Sequence, residues 1–534
     1  VNVEDLSPSV SLSLAWARAR GRARQESVVR VRYRRRRSET EEQRALLREW
    51  SARGARLETR DPLDPGEWIH VQLPGDAPDE LRPGRRVPAR VVSACADVDE
   101  PGRYAYGIEF RSGLRLLLSQ LAYGAIPLLA ILLFAAGVAH VLVLRESNIH
   151  YFWYRPLANL YSLLISIYIL SRFALSAFYK PPAEVGYRPS VSVIIACKNE
   201  ELSIGRTIDC VYAGDYPREL LEVIAINDGS TDDTLAEMQR AAERHAGLKV
   251  IDFGRNLGKR HGMAAGARAA SGDILVYVDS DSFLRRDTLA QISQGFANPD
   301  VGAVCGHAYV HNARENFLTR MQEVRYYVAF RVVKAAESLF GAVACCSGCL
   351  AAYRRSYVMD ILDVWLNQRF LGTEATFGDD RSLTNFMLRR YRVIYNSQAI
   401  CSTIVPDTYR QFFKQQLRWK KSWVRETLIA GRFMWRRNPM AAFFFYMGAI
   451  FPFLSPIVVA NALFLPLFGN GALSMLYVYG ATLMSALYGL YYLGRMRNGL
   501  WVYGVAFSFF YMFVLVWQTY YAMFTVQRNH WGTR

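Results

Sequence analysis

Apolar and polar positions alternate along the chain in blocks of different period, and the blocks divide it into regions. Residues 1–110 are polar, with short runs such as WIHVQL (68–73) and YGIEF (106–110) in which apolar side chains recur at every second position. That period predicts strands between turns, hence a small all-β domain. Residues 117–144 are almost wholly apolar and long enough to span a bilayer, and residues 157–179 form a second, slightly more polar span. The short connector makes these a helical hairpin. Positive residues before the first span and Lys180 after the second place both ends in the cytoplasm.

Residues 190–400 change to buried-strand runs, VSVIIA (191–196) and LEVIAI (221–226), separated by a helix-length stretch over 202–212. Such β-α-β alternation predicts a mostly parallel sheet with ligands at the carboxyl ends of its strands. From residue 409 to 437 aromatic and basic residues mix, as in helices lying at a membrane interface. Apolar segments follow at 441–468, 472–492 and 500–526. The first contains Pro452, Pro456 and Pro466 and is long for one span yet short for two. Three spans would leave the C-terminus outside, so one segment is expected to be broken or re-entrant.

Composition changes this picture in two ways. The 534 residues are too many for one domain, and 64 Lys+Arg against 47 Asp+Glu leave a net charge of +17. Much of the excess precedes residue 60, in runs such as Arg34-Arg35-Arg36-Arg37. Lying next to long apolar segments, it suits lipid headgroups or phosphate ligands and argues against nucleic acid. The eight cysteines form no paired framework. Cys345-Cys346-x-x-Cys349 lacks a second Cys or His cluster to complete a metal site, so reduced packing thiols are expected.

Candidate chemistry lies at the strand ends. Asp279 and Asp281 follow the apolar run 274–278, and Asp228 follows the run 221–226. Two carboxylates at a strand end can hold a divalent metal against a diphosphate. Far downstream, Gln415, Arg418 and Trp419 stand at i, i+3 and i+4, on one helix face. Arg offers a forked contact to phosphate and Trp an apolar face for a sugar ring.

Several motifs occur in a fixed order: SVIIACKNE (192–200), INDGSTDDT (226–234), NLGKRHGM (256–263), VDSDS (278–282), VRYYVAF (324–330), CCSG (345–348), GDDRSLTN (378–385), QQLRWKKSW (415–423) and HWGTR (530–534). As an ordered set they resemble processive family-2 glycosyltransferases of the hyaluronan synthase and chitin-oligosaccharide synthase branch. Cys349 departs from the branch, which usually has Pro after Ser-Gly. The resemblance implies a type A glycosyltransferase domain and roles for single residues. Asp228 would bind the nucleoside, or serve only as the turn Asp of Asn-Asp-Gly. Lys259 and Arg260 would lie near the diphosphate, their alternative being solvated charge. Asp279 would sit beside, and Asp281 on, a Mg²⁺ or Mn²⁺ ion. Asp380 would be the general base on the acceptor hydroxyl, with Asp379 shaping the site. Gln415, Arg418 and Trp419 would bracket acceptor and diphosphate. Trp531 and Arg534 would close over bound UDP, or form only a basic terminus.

In the N-terminal region, EWSARGA (49–55) resembles the second motif of PilZ domains, which bind cyclic di-GMP, with Glu49 where Asp or Asn is usual. YGIEF resembles their closing strand. The resemblance implies cyclic di-GMP contacts from Arg20, Arg24, Ser51 and Gly54. Arg18 with Arg22, or Arg30 with Arg34, are alternative arginine pairs. A basic β-domain touching anionic lipid is the rival reading.

The expected architecture is a multi-domain membrane protein. A PilZ-like barrel (1–112) precedes a transmembrane hairpin (113–180) and a cytosolic α/β domain (181–405). Interfacial helices (406–440), C-terminal transmembrane helices (441–526) and a tail (527–534) follow. The expected function is polymerisation of a UDP-sugar onto a growing polysaccharide at a bacterial inner membrane, with secretion through the protein's own helices and regulation by cyclic di-GMP. Alternatives are an alginate- or glucan-type synthase using GDP-mannuronate or UDP-glucose, a non-processive transferase acting on a lipid carrier, and a signalling receptor with a dead catalytic domain.

Overall fold

The computed structural model describes residues 29–35, 43–51, 54–59, 61–64, 66–72, 86–95, 104–110, 156–464, 468, 475–496 and 498–527. The chain divides into two compact units. The first is built on six strands: β1 (Val29–Arg35), β2 (Gln43–Ser51), β3 (Gly54–Thr59), β4 (Trp68–Gln72), β5 (Arg86–Cys95) and β6 (Tyr104–Phe110). They close into a barrel in the order β1-β2-β3-β6-β5-β4, and every neighbouring pair is antiparallel. Closure removes free strand edges. Alternating residues such as Val31, Tyr33, Leu57, Ile69, Val91 and Ile108 fill the interior. Two buried phenols are satisfied there. Tyr33 Oη lies 2.9 Å from Thr59 Oγ1, and Tyr106 Oη accepts from the Leu63 amide at 2.8 Å. The small all-β domain expected from the period-two runs is therefore a closed barrel.

The second unit is organised on an eight-stranded sheet. Its strands are β7 (Val191–Cys197), β8 (Leu221–Asn227), β9 (Leu248–Asp252), β10 (Ile274–Tyr277), β11 (Ser282–Leu284), β12 (Val301–Val310), β13 (Ala351–Arg354) and, after a small hairpin of β14 (Arg369–Phe370) and β15 (Thr373–Glu374), β16 (Arg392–Thr403). The order is β11-β16-β12-β13-β10-β7-β8-β9. β7, β8, β9 and β10 run parallel, as do β12 and β16. β13 runs antiparallel to both its neighbours, and β11 to β16. Six of the eight strands therefore run in one direction, so the sheet is mostly parallel as the β-α-β alternation predicts, with β13 and β11 reversed. β13 follows the Cys345–Cys349 loop back beneath the strand ends, a return that no local period encodes. β7 and β12 are buried at every position, as strands covered on both faces must be. Helix α1 (Pro156–Ser176) precedes the sheet. Helices α2 (Ile204–Tyr212), α3 (Thr234–Arg244), α4 (Lys259–Ala269) and α5 (Thr288–Gln294) belong to its first half. α6 (Phe317–Val328), prolonged by a π turn, α7 (Arg355–Leu366) and α8 (Asp379–Leu388) belong to its second.

After the sheet come α9 (Tyr409–Gly431), α10 (Pro439–Val459), α11 (Met475–Met496), α12 (Trp501–Phe510) and α13 (Gln518–Phe524). Among the described residues, only the run Pro439–Phe464 is long and apolar enough in one piece to cross a membrane. The bent pair Trp501–Leu515 and Gln518–Phe524 qualifies if counted together. Of the three prolines, Pro466 lies outside the described residues. Pro452 and Pro456 lie inside continuous α10, whereas the last segment bends by 46°. Beside the bend, where a π turn covers Tyr511–Leu515 and the Thr519 amide donates to Val516 O, Lys420 Nζ donates to Leu515 O and, at 3.2 Å, to Thr519 Oγ1. A side chain entering the helix ladder is a recognised cause of a bend. The span expected over 117–144 lies outside the described residues.

Candidate active site

The carboxyl ends of β7, β8 and β10 open into a cavity of about 1310 Å³. Its walls also come from the Cys345–Cys349 loop, the start of α8, the cavity face of α6 and the middle of α9. Segments far apart in sequence therefore meet in one chamber.

Asp228 follows β8 and is buried. It accepts from the amides of Leu257 at 2.6 Å and Gly258 at 3.0 Å. Burial raises its pKa, against the lowering effect of those amides. It thus ties the 254–258 loop to the strand end while still lining the cavity. Lys259 opens α4 and forms an ion pair with Asp279. Burial alone would lower the Lys259 pKa, but Asp279, with Asp379 and Asp380 behind it, raises it. The Gly348 backbone packs on the Asp279 carboxylate so closely that a Cβ there would lie 3.0 Å from Oδ1. Asp281 Oδ1 accepts from Thr403 Oγ1 at 3.2 Å, which orients the carboxylate from the end of β16.

Gly378, at φ +74°, turns the chain into α8. The following Asp379 and Asp380 then stand at a helix N-terminus, where negative charge is favoured. Asp379 is buried, and its Oδ1 accepts from Arg260 Nε at 2.7 Å. Asp380 faces the cavity. One oxygen accepts from the Arg381 amide at 2.8 Å, and the other receives the Cys345 thiol at 3.5 Å.

Arg260 corrects an expectation. It is only 3% exposed, does not line the cavity, and binds Asp379 along with Trp365 O at 3.1 Å and Gln368 Oε1 at 3.2 Å. It holds Asp379 from outside the cavity, where the expectation placed it beside a diphosphate. Burial against α7 and α8 made that choice, since its neighbour Lys259 has the cavity side of α4.

Gln415, Arg418 and Trp419 do share one face of α9, and that face lines the cavity. Burial lowers the Arg418 pKa, against the pull of Asp279, Asp380 and Asp379, so the guanidinium sits within range of the acidic cluster. Gln415 Oε1 is buried without a hydrogen-bond partner among the described residues. Trp419 keeps 36% of its surface exposed, with Tyr326 at 6.5 Å between ring centroids. Trp531, Arg534, Arg20 and Arg24 lie outside the described residues. Ser51 and Gly54 are register partners at the β2–β3 turn of the barrel.

No group of three or more His, Cys, Asp or Glu suited to a metal occurs among the described residues. The donor set nevertheless fits a hard divalent ion held partly by substrate. Such ions commonly take one or two carboxylates and complete their shell with phosphate oxygens and water. Asp281, with Asp279 beside it, supplies that minimum at the cavity wall.

Residues 192–362 match the family model described as glycosyl transferase family 2. The protein is a glycosyltransferase. The chain is similar to a hyaluronan synthase of Streptococcus pyogenes, with 29% identity over 388 residues, covering 70% of this chain and 90% of that one. An N-acetylglucosaminyltransferase of Rhizobium meliloti is 36% identical over 265 residues, 49% of this chain and 62% of that one. Among solved structures, a mannosyltransferase from Pyrobaculum calidifontis, in complex with GDP-Man and Mn²⁺, gives a TM-score of 0.47. It has 24% identity over 67% of this chain and 99% of that one.

Two features of the glycosyltransferase cavity escaped sequence reasoning. Thr403, which orients Asp281, ends β16 with nothing local to mark it. Arg325 and Lys420 also line the cavity. Both lie inside quoted motifs, VRYYVAF and QQLRWKKSW, but their shared location depends on α6 and α9 packing together.

Proposed function

We propose that this glycosyltransferase is a processive, inverting synthase. It transfers a sugar from a UDP donor to the end of a growing polysaccharide and passes the polymer outward through its own helices. The single observation that carries the reading is convergence. The strand-end acids, Asp380 and the Gln415-Arg418-Trp419 face line one cavity, and that cavity reaches Pro452 in α10 and Tyr511 and Thr519 at the bend.

In this reading Asp380 accepts the proton of the acceptor hydroxyl as that oxygen attacks the anomeric carbon. The bond from that carbon to the diphosphate breaks, and UDP leaves. A Mg²⁺ or Mn²⁺ ion held by Asp281, with Asp279 alongside, would neutralise the leaving charge. Arg418 faces the diphosphate, Trp419 stacks on the acceptor sugar, and Asp228 holds the nucleoside end. Trp531 and Arg534 close the tail over UDP. No second carboxylate is needed to protonate the leaving group, which separates this chemistry from a paired-acid hydrolase.

The proposed divisions are those expected from sequence, from the barrel (1–112) to the tail (527–534). The barrel would bind cyclic di-GMP, and the protein would sit in a bacterial inner membrane as a multi-pass chain. The test is incubation of purified protein with a divalent metal and radiolabelled nucleotide sugars, with product digestion by specific lyases. Long polymer supports the synthase. A single lipid-linked sugar would replace it with a carrier transferase, and no product with a receptor. Polymer from GDP-mannuronate or UDP-glucose alone would reassign the donor.

A further inference from the structure

We propose that Arg425 and Glu426, buried side by side in α9, are the positioning pair for the base Asp380, so that the helix that holds the acceptor also sets the base. This rests on the synthase reading above, with Asp380 as its base, and adds two residues that reading does not use.

The pair continues a face already described. Ser422, Arg425 and Glu426 each stand seven residues after Gln415, Arg418 and Trp419. Seven residues make almost two whole helical turns, so the same stripe of α9 recurs two turns further on. There it meets the start of α8. The Ser422 side chain occupies the space a Cβ on Gly378 would need. Arg425 Nη2 donates to Phe377 O, and its Nε donates to Glu426 Oε1 at 2.8 Å. Glu426 Oε1 also accepts from Gln368 Nε2 at 3.2 Å, and Oε2 accepts from Asn385 Nδ2 at 2.9 Å. The same Asn385 amide reaches Glu426 O at 3.0 Å. The pair thus holds α8 at two places, the carbonyl just before Gly378-Asp379-Asp380 and Asn385 within the helix. Gln368 extends the network. Its Oε1 accepts from Arg260 Nη1 at 3.2 Å and from Ser382 Oγ, and Arg260 in turn holds Asp379.

Stability does not account for this pair. Arg425 and Glu426 are 2% and 1% exposed, and taking two ions out of water can cost more than their attraction returns. Apolar side chains of like volume would fill the core as well. None of them could donate to Phe377 O, and Phe377 is itself buried ahead of the left-handed Gly378, where its carbonyl needs a donor. A guanidinium reaches two acceptors in a fixed fork, here one before α8 and one on its own helix. These directional bonds fix where α8 begins, and Asp380 lies in its first turn. Misplacing a reacting group by about 1 Å can lower a rate by about 10²-fold. Asp228, Asp279 and Asp281 stand on strand ends instead, so donor binding does not depend on the pair.

The experiment uses the full chain in phosphatidylcholine nanodiscs, with UDP-GlcNAc, UDP-glucose, UDP-glucuronate and GDP-mannuronate offered singly and in pairs. Turnover, donor KM, UDP affinity and thermal midpoint are read for each variant. Glu426→Gln keeps the volume but turns one acceptor into a donor facing donors. It should lower kcat by about 10²-fold, with donor KM and UDP affinity unchanged, and it should also lower the midpoint. The double variant Arg425→Met with Glu426→Leu removes both charges, so its midpoint should recover while kcat stays low. Recovery of kcat together with the midpoint would make the pair merely structural and overturn the inference. Arg425→Lys keeps the charge without the fork and should also lower kcat. Full kcat in that variant, or a rise in donor KM as large as the fall in kcat, overturns the inference and leaves the synthase reading standing. No transfer by the unaltered protein from any donor overturns both. If the double variant did not fold, Arg425→Lys would still decide.

Discussion

At the scale of single residues, the site separates acids that face the reaction from groups that hold them. Asp380 has one oxygen on a backbone amide and the other towards the cavity. Asp380→Asn should therefore lower transfer by about 10²–10⁴-fold while sparing donor affinity. Titration with UDP-sugar and single-turnover assays check both halves, and preserved transfer would remove it as the base. Asp281→Asn should instead abolish the metal dependence of UDP binding, because a neutral amide is a poor ligand for a hard cation. Arg260 belongs to the other class. Arg260→Met leaves Asp379 buried and unpaired, which typically costs about 3–5 kcal/mol. A large fall in thermal midpoint is expected, whereas a surface phosphate-binding arginine would show only weaker UDP binding. Glu222 marks the acid limit of the fold. Burial alone would raise its pKa. The Lys249 ammonium at 2.5 Å, the Ser192 hydroxyl at 2.5 Å and the Ser271 amide at 2.8 Å outweigh that and hold it at about 2. A depressed carboxylate stabilises the fold above its ordinary value of 4.5, and the contribution is lost as pH falls towards about 2. Glu222→Gln should flatten the pH dependence of the thermal midpoint across that window.

At the scale of elements, the turn into α8 is the most constrained. Gly378 has φ +74°, and a Cβ there would run into the Ser422 side chain of α9. A left-handed conformation costs a residue with Cβ about 1–2 kcal/mol before any clash. Gly378→Ala should lower the thermal midpoint and also displace Asp380, so activity falls further than stability. Adding Ser422→Gly should recover the part due to the clash and leave the backbone part. If the single variant were silent in both measurements, α8 would not be held by this turn. The helix bend is tied to a distant element in the same way, because Lys420 of α9 donates to Leu515 O and Thr519 Oγ1 there.

At the scale of the whole molecule, the barrel has its own buried core and a β2–β3 turn carrying Ser51 and Gly54. Cyclic di-GMP should bind the full chain with micromolar affinity and raise the rate of synthesis, since a ligand shifts an equilibrium only by binding one state better. Calorimetry showing no heat at about 100 μM ligand would favour lipid contact for the basic region. Deleting residues 530–534 should sharply reduce turnover if Trp531 and Arg534 close over UDP. The same reading requires a cytoplasmic C-terminus. A cysteine placed by Thr533→Cys should resist an impermeant thiol reagent in intact cells and react once the membrane is opened.

Much of this was determined by the sequence itself. The period-two runs, the buried-strand runs and the carboxylates that follow them are local patterns, and local backbone preference suffices to turn them into barrel strands, sheet strands and strand-end acids. The α9 face was legible for the same reason, because i, i+3 and i+4 meet on any helix. What only the tertiary structure decided involves partners distant in sequence. Arg260 and Lys259 are neighbours, yet one is buried against Asp379, 119 positions away, and the other faces Asp279. The antiparallel return of β13, the bend in the last helix rather than at the prolines of α10, and the meeting of Arg325 with the α9 face all depend on which surfaces pack together. Packing follows burial and shape over the whole molecule, and those are not properties of any window of the chain.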